Sequence, residues 1–141
     1  MAGQQVHASG GCLCGAVRYE VRGPLRDVLI CHCEECRRWN GHVSANTAAS
    51  RGDLVVFDDR ALRWIDSPRS DAAARRGFCS DCGSSLFWDA PERETISIAA
   101  GTLDTPTGLR VIGHWYVSQA SDYYPPPSGA LPHHPLAGDT A

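Results

Sequence analysis

The seven cysteines of this 141-residue chain fall into three short clusters. A Cys-x-Cys pair and a Cys-x2-Cys pair, each followed directly by glycine, stand at Cys12, Cys14, Cys79 and Cys82. Each pair lets two sulfur atoms reach one metal ion, and a following glycine such as Gly83 can take the positive φ of the tight turn. Because one pair supplies only half of a tetrahedral shell, the two together predict a closed, structural four-thiolate zinc site.

The middle cluster places three cysteines within six residues, at Cys31, Cys33 and Cys36. No eighth cysteine is left to complete this set, and three protein ligands with an open fourth position are typical of catalytic zinc. His32 is the alternative fourth ligand, although its place between two ligands would strain its approach to the same metal. The odd cysteine count, without an export signal, also favours metal binding over a disulfide framework.

The chemistry of a three-thiolate site differs from that of a three-histidine site. Three thiolates leave the zinc electron-rich, so it is a weaker Lewis acid and poorly suited to making hydroxide. It is better suited to holding a substrate thiol as a thiolate, because a metal deprotonates a thiol that coordinates it. The middle cluster therefore predicts a substrate that contains sulfur.

Composition limits the class of protein and its partners. The length predicts one domain, and 43% hydrophobic with 21% charged residues is near the globular average. The sequence shows neither an apolar run of about 18 residues nor a signal-peptide pattern, so we expect a cytoplasmic protein without a membrane partner. Seven thiolates and two zinc ions would take the net charge from −3 to about −6, which disfavours nucleic-acid binding.

Short strands separated by turns dominate the rest of the pattern. Strands are predicted over residues 16–22, 43–47, 54–57, 61–65, 84–88, 95–100 and 114–117, with a short helical stretch within 31–40. Asp58 and Asp59 predict a hairpin turn between two of these strands, and residues 67–76 are predicted to form a loop. The chain is thus predicted to be mainly β, with a flexible leader over 1–9, a single zinc-binding domain over 10–134 and a flexible tail over 135–141.

Three segments resemble, in order, the signatures of the glutathione-dependent formaldehyde-activating enzyme family, which also includes centromere protein V. They are GCLCGAV at residues 11–17, CHCEECRR at 31–38 and FCSDCGS at 78–84, with smaller matches at GTLD 101–104, HWYV 114–117 and LP 131–132. The resemblance implies a β-tent of twisted antiparallel sheets stapled by zinc. It also implies a structural zinc on Cys12, Cys14, Cys79 and Cys82 and a catalytic zinc on Cys31, Cys33 and Cys36, the same partition that the spacing predicts.

The resemblance further implies a carbon–sulfur lyase activity, the condensation of glutathione with formaldehyde to S-hydroxymethylglutathione. In the predicted mechanism a thiol at the second zinc loses its proton and attacks a small aldehyde, and the reverse reaction cleaves the C–S bond. The alternative function is a non-catalytic, zinc-stapled binding module, which would not need an open coordination position.

Two arginines directly after the middle cluster are candidates for substrate binding. Arg37 and Arg38 could clamp the carboxylates of glutathione through bidentate hydrogen bonds. Alternatively, one of them pairs with Glu34 or Glu35 and the other faces water. His114 is likewise either a catalytic residue or a packed strand residue.

Overall fold

The computed structural model describes residues 6–67, 73–125 and 133–134. Of the predicted flexible leader and tail, residues 1–5 and 135–141 lie outside these ranges. The first strand begins at Ala8, inside the predicted leader. Within the described ranges, no helix is long and apolar enough to cross a membrane.

Strands make up most of the regular structure, so the prediction of a mainly β fold is confirmed. The strands are β1 Ala8–Gly11, β2 Arg18–Val21, β3 Val28–Cys31, β4 Ser44–Ser50, β5 Leu54–Val56, β6 Leu62–Asp66, β7 Arg75–Cys79, β8 Ser85–Asp89, β9 Thr95–Ala99, β10 Val111–Trp115 and β11 His133–His134. The helix is α1 Glu34–Asn40, and short 3-10 helices span Arg51–Asp53, Ala100–Thr102 and Val117–Gln119.

The strands form two sheets. The smaller is antiparallel with the order β1-β2-β5, and the larger has the order β11-β10-β3-β4-β9-β8-β7-β6. Most pairs in the larger sheet are antiparallel, but β10 runs parallel to both β3 and β11. In the β3–β10 register Trp115 lies opposite Cys31, so the end of β10 is beside the start of the middle cysteine cluster.

Two local predictions are wrong. The turn at Asp58 and Asp59 does not form a hairpin, because β5 belongs to the smaller sheet and β6 to the larger one. The predicted loop over 67–76 ends early, because β7 begins at Arg75. The guanidinium of Arg75 lies 3.9 Å from the centroid of the Trp64 ring, a cation–π contact that lets an arginine occupy a strand position against an aromatic surface.

The hydrophobic core lies where the two sheets meet. Tyr19 of β2 packs edge-to-face on Phe87 of β8, with ring centroids 5.4 Å apart. Leu86 and Ile98 are fully buried beside them. Other members of this core are Cys12, Val17, Val21, Ala49, Ala61, Cys79, Ile96 and Leu103. The first and last cysteine clusters therefore each contribute one side chain to the core.

The buried carboxylate of Asp89, in β8, forms ion pairs with Arg75 of β7 and with Arg51 of the first 3-10 helix. The side chain of Asp89 is 2% exposed, and its oxygens lie 2.7 Å from Arg51 Nη2 and 3.0 Å from Arg75 Nε. Burial opposes ionisation of Asp89, but the hydrogen bond from Arg75 and the nearby charges of both arginines outweigh it and hold the pKa of Asp89 below its usual value. The folded state therefore favours the ionised carboxylate.

We expect Asp89→Asn to lower the free energy of unfolding at pH 7 by about 1–3 kcal/mol, since both arginines are partly exposed and lose only one charged partner. Because the folded pKa lies below the unfolded value of about 3.9, this contribution is present above pH 4 and is lost as the pH falls through the folded pKa. Urea unfolding at pH 7 and at lower pH measures both effects. Asp59→Asn, at an exposed position, is the matched control and should change stability little; equal effects of the two substitutions would contradict the prediction.

Candidate functional site

The first and last cysteine clusters meet in space, although 65 positions separate Cys14 from Cys79. All four sulfur atoms lie within 4.8 Å of one another. The Cys12–Cys14 and Cys14–Cys79 sulfur distances are 3.7 and 3.8 Å. A tetrahedral site with Zn–S bonds of about 2.3 Å has edges of about 3.8 Å. The four-sulfur set, completed by Cys82, therefore fits a tetrahedral metal ion such as zinc.

Tight turns hold these sulfurs in place. Gly15 and Gly83 have φ values of 84° and 80°, in the left-handed region that glycine reaches without strain. The Gly83 amide donates to the Cys79 carbonyl at 2.7 Å, and the Val17 amide donates to the Cys12 sulfur at 3.2 Å. A hydrogen bond from an amide to a sulfur, such as the one from Val17 to Cys12, stabilises the thiolate, which is the form that binds metal.

The middle cluster lies where β3 runs into α1. Cys31 is the last residue of β3, Cys33 is the N-cap of α1, and Cys36 lies in the helix. The Cys33 sulfur accepts a hydrogen bond from the Cys36 amide at 3.2 Å. The three sulfurs lie within 4.8 Å of one another, with Cys31 and Cys36 buried and Cys33 partly exposed. The short strand-to-helix junction thus brings all three sulfurs to one point, open to solvent on the Cys33 side.

The electrostatics of the middle cluster favour one anionic sulfur. Hydrogen bonds from Cys31 and Cys36 lower the pKa of the Cys33 thiol to about 3. The same contact with Cys33, together with burial, raises the pKa of Cys31. A cation placed among the three sulfurs would favour their ionised forms. This set of donors therefore fits a divalent metal ion.

His32 does not complete this cluster as a fourth ligand. It is 3% exposed, and its ring nitrogens are both engaged: Nδ1 lies 2.8 Å from the Tyr124 hydroxyl and Nε2 lies 3.1 Å from His114 Nδ1. Within the described part of the chain, the three sulfurs form a set of their own. A metal ion held by the three sulfurs would keep an open coordination position. His114, the other histidine that the sequence singles out, contacts His32.

The two predicted substrate-binding arginines point in different directions. Arg37 donates from Nε to the carbonyl of Gln119 at 3.0 Å, which ties α1 to the 3-10 helix after β10. Arg38 is mostly exposed, and its Nε lies 3.3 Å from Glu34, the ion pair that the sequence offers as an alternative. Their contact with a substrate stays a prediction.

A cleft of about 230 Å³ opens beside the middle cluster. It is lined by Glu35, Arg38, Trp39, Ile65, Asp66, Ser67 and Arg76. Arg76 connects it to the cysteines, because its Nη2 lies 3.9 Å from the Cys36 sulfur. Sequence reasoning missed Glu35, Ser67 and Arg76 as a group, and no local motif marks them, since three separate elements bring them together.

Comparison with known proteins agrees with this architecture. The crystal structure of a Rhodobacter sphaeroides protein matches with a TM-score of 0.57 and 25% sequence identity, over 89% of this chain and 98% of that one. An uncharacterized lyase of Schizosaccharomyces pombe is 27% identical over 79 residues, which are 56% of this chain and 55% of the relative. The chain thus spans about half the length of that curated relative.

The family comparison covers most of the chain. The model of the family described as glutathione-dependent formaldehyde-activating enzyme matches residues 7–119. This range contains β1 to β10, both sulfur sets and α1. The chain therefore belongs to the glutathione-dependent formaldehyde-activating enzyme family.

Proposed function

We propose that this chain is a zinc-dependent carbon–sulfur lyase that interconverts a thiol plus a small aldehyde with their adduct. Glutathione and formaldehyde, which give S-hydroxymethylglutathione, are the substrates that the family description supports. The single observation that carries the proposal is the set of three sulfurs with Cys33 partly exposed, close to a cleft of about 230 Å³. The name of the related yeast protein, a lyase, agrees with the reaction class.

The two sulfur sets would have different roles. Cys12, Cys14, Cys79 and Cys82 form a closed set beside the core and would hold a structural zinc. The three-sulfur set of Cys31, Cys33 and Cys36 would hold the catalytic zinc. Zinc at this second site would supply an open coordination position and would lower the pKa of a bound substrate thiol well below its ordinary value of about 8.5.

Side chains around the cleft would bind and orient the two substrates. The reaction forms one C–S bond and moves the thiol proton to the carbonyl oxygen, so it needs no oxidant or reductant. Binding energy must come from holding the two reactants close together. Arg38 lies at the cleft with an exposed guanidinium, and we propose that it leaves Glu34 to bind a glutathione carboxylate. Arg37 could do the same only by giving up the Gln119 carbonyl.

The partners follow from the same proposal. A small-molecule thiol is the expected partner, and the acidic charge of −3 gives no basis for a nucleic-acid partner. A cytoplasmic location stays a prediction from the composition. The alternative function, a non-catalytic binding module, does not need an open coordination position. The binding of a thiol at the second site therefore distinguishes the two functions.

Cobalt in place of zinc gives the second site a visible spectrum. We expect glutathione to change the sulfur-to-cobalt charge-transfer bands near neutral pH, because its thiol can enter the open position and ionise there. S-methylglutathione is the matched control, since a thioether cannot form a thiolate, and it should leave the bands unchanged. Formaldehyde added afterwards should be consumed only when the free thiol is present. Equal spectral responses to the two compounds, or none to either, would remove the thiolate mechanism and favour the binding module.

A further inference from the structure

A buried arginine lies against the middle cysteine cluster. Arg76, on β7, is only 7% exposed. Its Nη2 lies 2.9 Å from a carboxylate oxygen of Glu35 and 3.9 Å from the sulfur of Cys36. Its Nε donates to the hydroxyl of Ser67 at 3.2 Å, and that hydroxyl in turn donates to Glu35. The guanidinium is therefore fixed by two partners while one of its N–H groups faces a cysteine sulfur.

An aromatic ring also lies close to this guanidinium. The Arg76 guanidinium carbon is 6.0 Å from the centroid of the Trp39 ring, and the Trp39 indole N–H donates to Ser85 at 2.7 Å. The hydrogen bond to Ser85 of β8 thus fixes the Trp39 ring, which lies close to the Arg76 guanidinium. Shielding from water strengthens the attraction between a guanidinium and a nearby thiolate, because the local dielectric constant is lower.

The charge of the proposed metal site explains why a cation belongs there. Three thiolates and one divalent ion carry a net charge of −1, and a substrate thiolate in the open position makes it −2. Such a charge is costly to bury without compensation. Arg37 and Arg38 are directed to Gln119 and Glu34 instead. Among the residues that the structure describes, Arg76 has an N–H group that reaches a sulfur of this cluster.

We infer that Arg76 is a positioning residue for the second metal site. Its guanidinium, oriented by Glu35 and Ser67, donates a charge-assisted hydrogen bond to Cys36, offsets the negative charge of the three thiolates and strengthens metal binding. The inference concerns the same site as the proposed function. Its readouts are metal affinity and a spectrum, so it can hold even if no lyase activity is found, and it can fail while the activity is confirmed.

The first test compares two neighbouring arginines on opposite faces of β7. We expect Arg76→Met to weaken the second metal site by about 10–100-fold in competition with a chelator, the range seen when hydrogen-bond partners of metal ligands are removed. Affinity at the four-sulfur site should stay unchanged. In the cobalt protein, the sulfur-to-metal charge-transfer bands of the second site should move to lower energy, since the sulfur loses a hydrogen bond that stabilises its electrons. Arg75→Met, whose guanidinium contacts Asp89 and Trp64, should leave both readouts of the second site unchanged.

Two further variants exclude an indirect effect. Arg76→Met removes the Arg76 contact of Glu35, so the double variant Glu35→Gln/Arg76→Met removes that carboxylate charge as well. We expect the double variant to keep both the weaker affinity and the shifted bands. Arg76→Lys keeps the charge, loses the planar fork, and should fall between the native chain and Arg76→Met; it decides the question if Arg76→Met does not fold. Full recovery of affinity in the double variant, or native affinity and bands in Arg76→Lys and Arg76→Met alike, would overturn the inference.

Discussion

Replacing Cys79 with serine is expected to remove one metal ion and most of the folded stability. Cys79 is fully buried at the end of β7 and belongs both to the core and to the four-sulfur set. Its contact with Cys14 closes a loop of 65 positions, and a cross-link of that length is worth about 4 kcal/mol through its effect on the unfolded chain. A domain of this size is stable by only about 5–15 kcal/mol. Thermal unfolding by circular dichroism and metal analysis of the purified chain measure the two losses.

The neighbouring serine supplies a matched control for this experiment. Ser80 is exposed, and Ser80→Ala should keep both the metal content and the melting temperature. Removing the metal from the native chain with a strong chelator should reproduce the effect of Cys79→Ser, because structural zinc contributes its binding free energy to folding. Cooperative melting of Cys79→Ser at the native temperature would show that the four-sulfur set does not hold the fold together.

Cys33→Ser should have a large effect of a different kind, with loss of the proposed second metal ion and of the proposed lyase activity to the background level. The fold should survive, because Cys33 is partly exposed and serves as the N-cap of α1. Serine is among the best N-cap residues, so its hydroxyl can replace the sulfur as acceptor for the Cys36 amide. Metal analysis, circular dichroism and formaldehyde consumption with glutathione measure the three properties. If Cys33→Ser unfolds the chain as badly as Cys79→Ser does, the assignment of a structural and a catalytic site is wrong.

The cysteine sets could be predicted because the spacing within each cluster is local and the total of seven cysteines limits how the clusters combine. A Cys-x2-Cys spacing ending in glycine already fixes a turn that aligns two sulfurs, and Gly83 has the left-handed backbone that this turn requires. The count of four plus three then separates the sets without any knowledge of the fold. Short apolar runs separated by turn residues likewise placed most of the strands, and alternation of apolar with charged residues marked the strand within residues 16–22.

The surroundings of the middle cluster depend on long-range packing and could not be predicted in this way. Glu35 and Arg76 are 41 positions apart, and the parallel pairing of β3 with β10 joins segments that are even more remote in sequence. Two adjacent arginines in a polar segment, Arg75 and Arg76, predict a loop from the sequence alone. In the folded chain their guanidinium groups contact the rings of Trp64 and Trp39. Tertiary contacts outweighed local propensity at this strand.

The same reasoning explains the failed hairpin. Asp58 forms an ion pair with Arg60 at 2.7 Å. This contact is local, so it is compatible with a turn between any two strands, whichever sheets they belong to. The turn signal does not specify whether the next strand pairs back or crosses to another sheet. That choice depends on β7, which offers a complete antiparallel partner for β6.

The wide separation of the four-sulfur ligands also determines when each metal can bind during protein synthesis. Five of the seven cysteines lie within the first 36 residues, whereas Cys79 and Cys82 are made much later. Translation proceeds from the N-terminus at about 5–20 residues per second, so the three-sulfur ligands are exposed seconds before the four-sulfur set is complete. On the ribosome, Cys12 and Cys14 would therefore compete for zinc with the middle cluster if both sets bind zinc as proposed. The structural zinc proposed for the four-sulfur set would be the last ion to reach full coordination, and zinc shortage during translation would then leave incompletely folded chains.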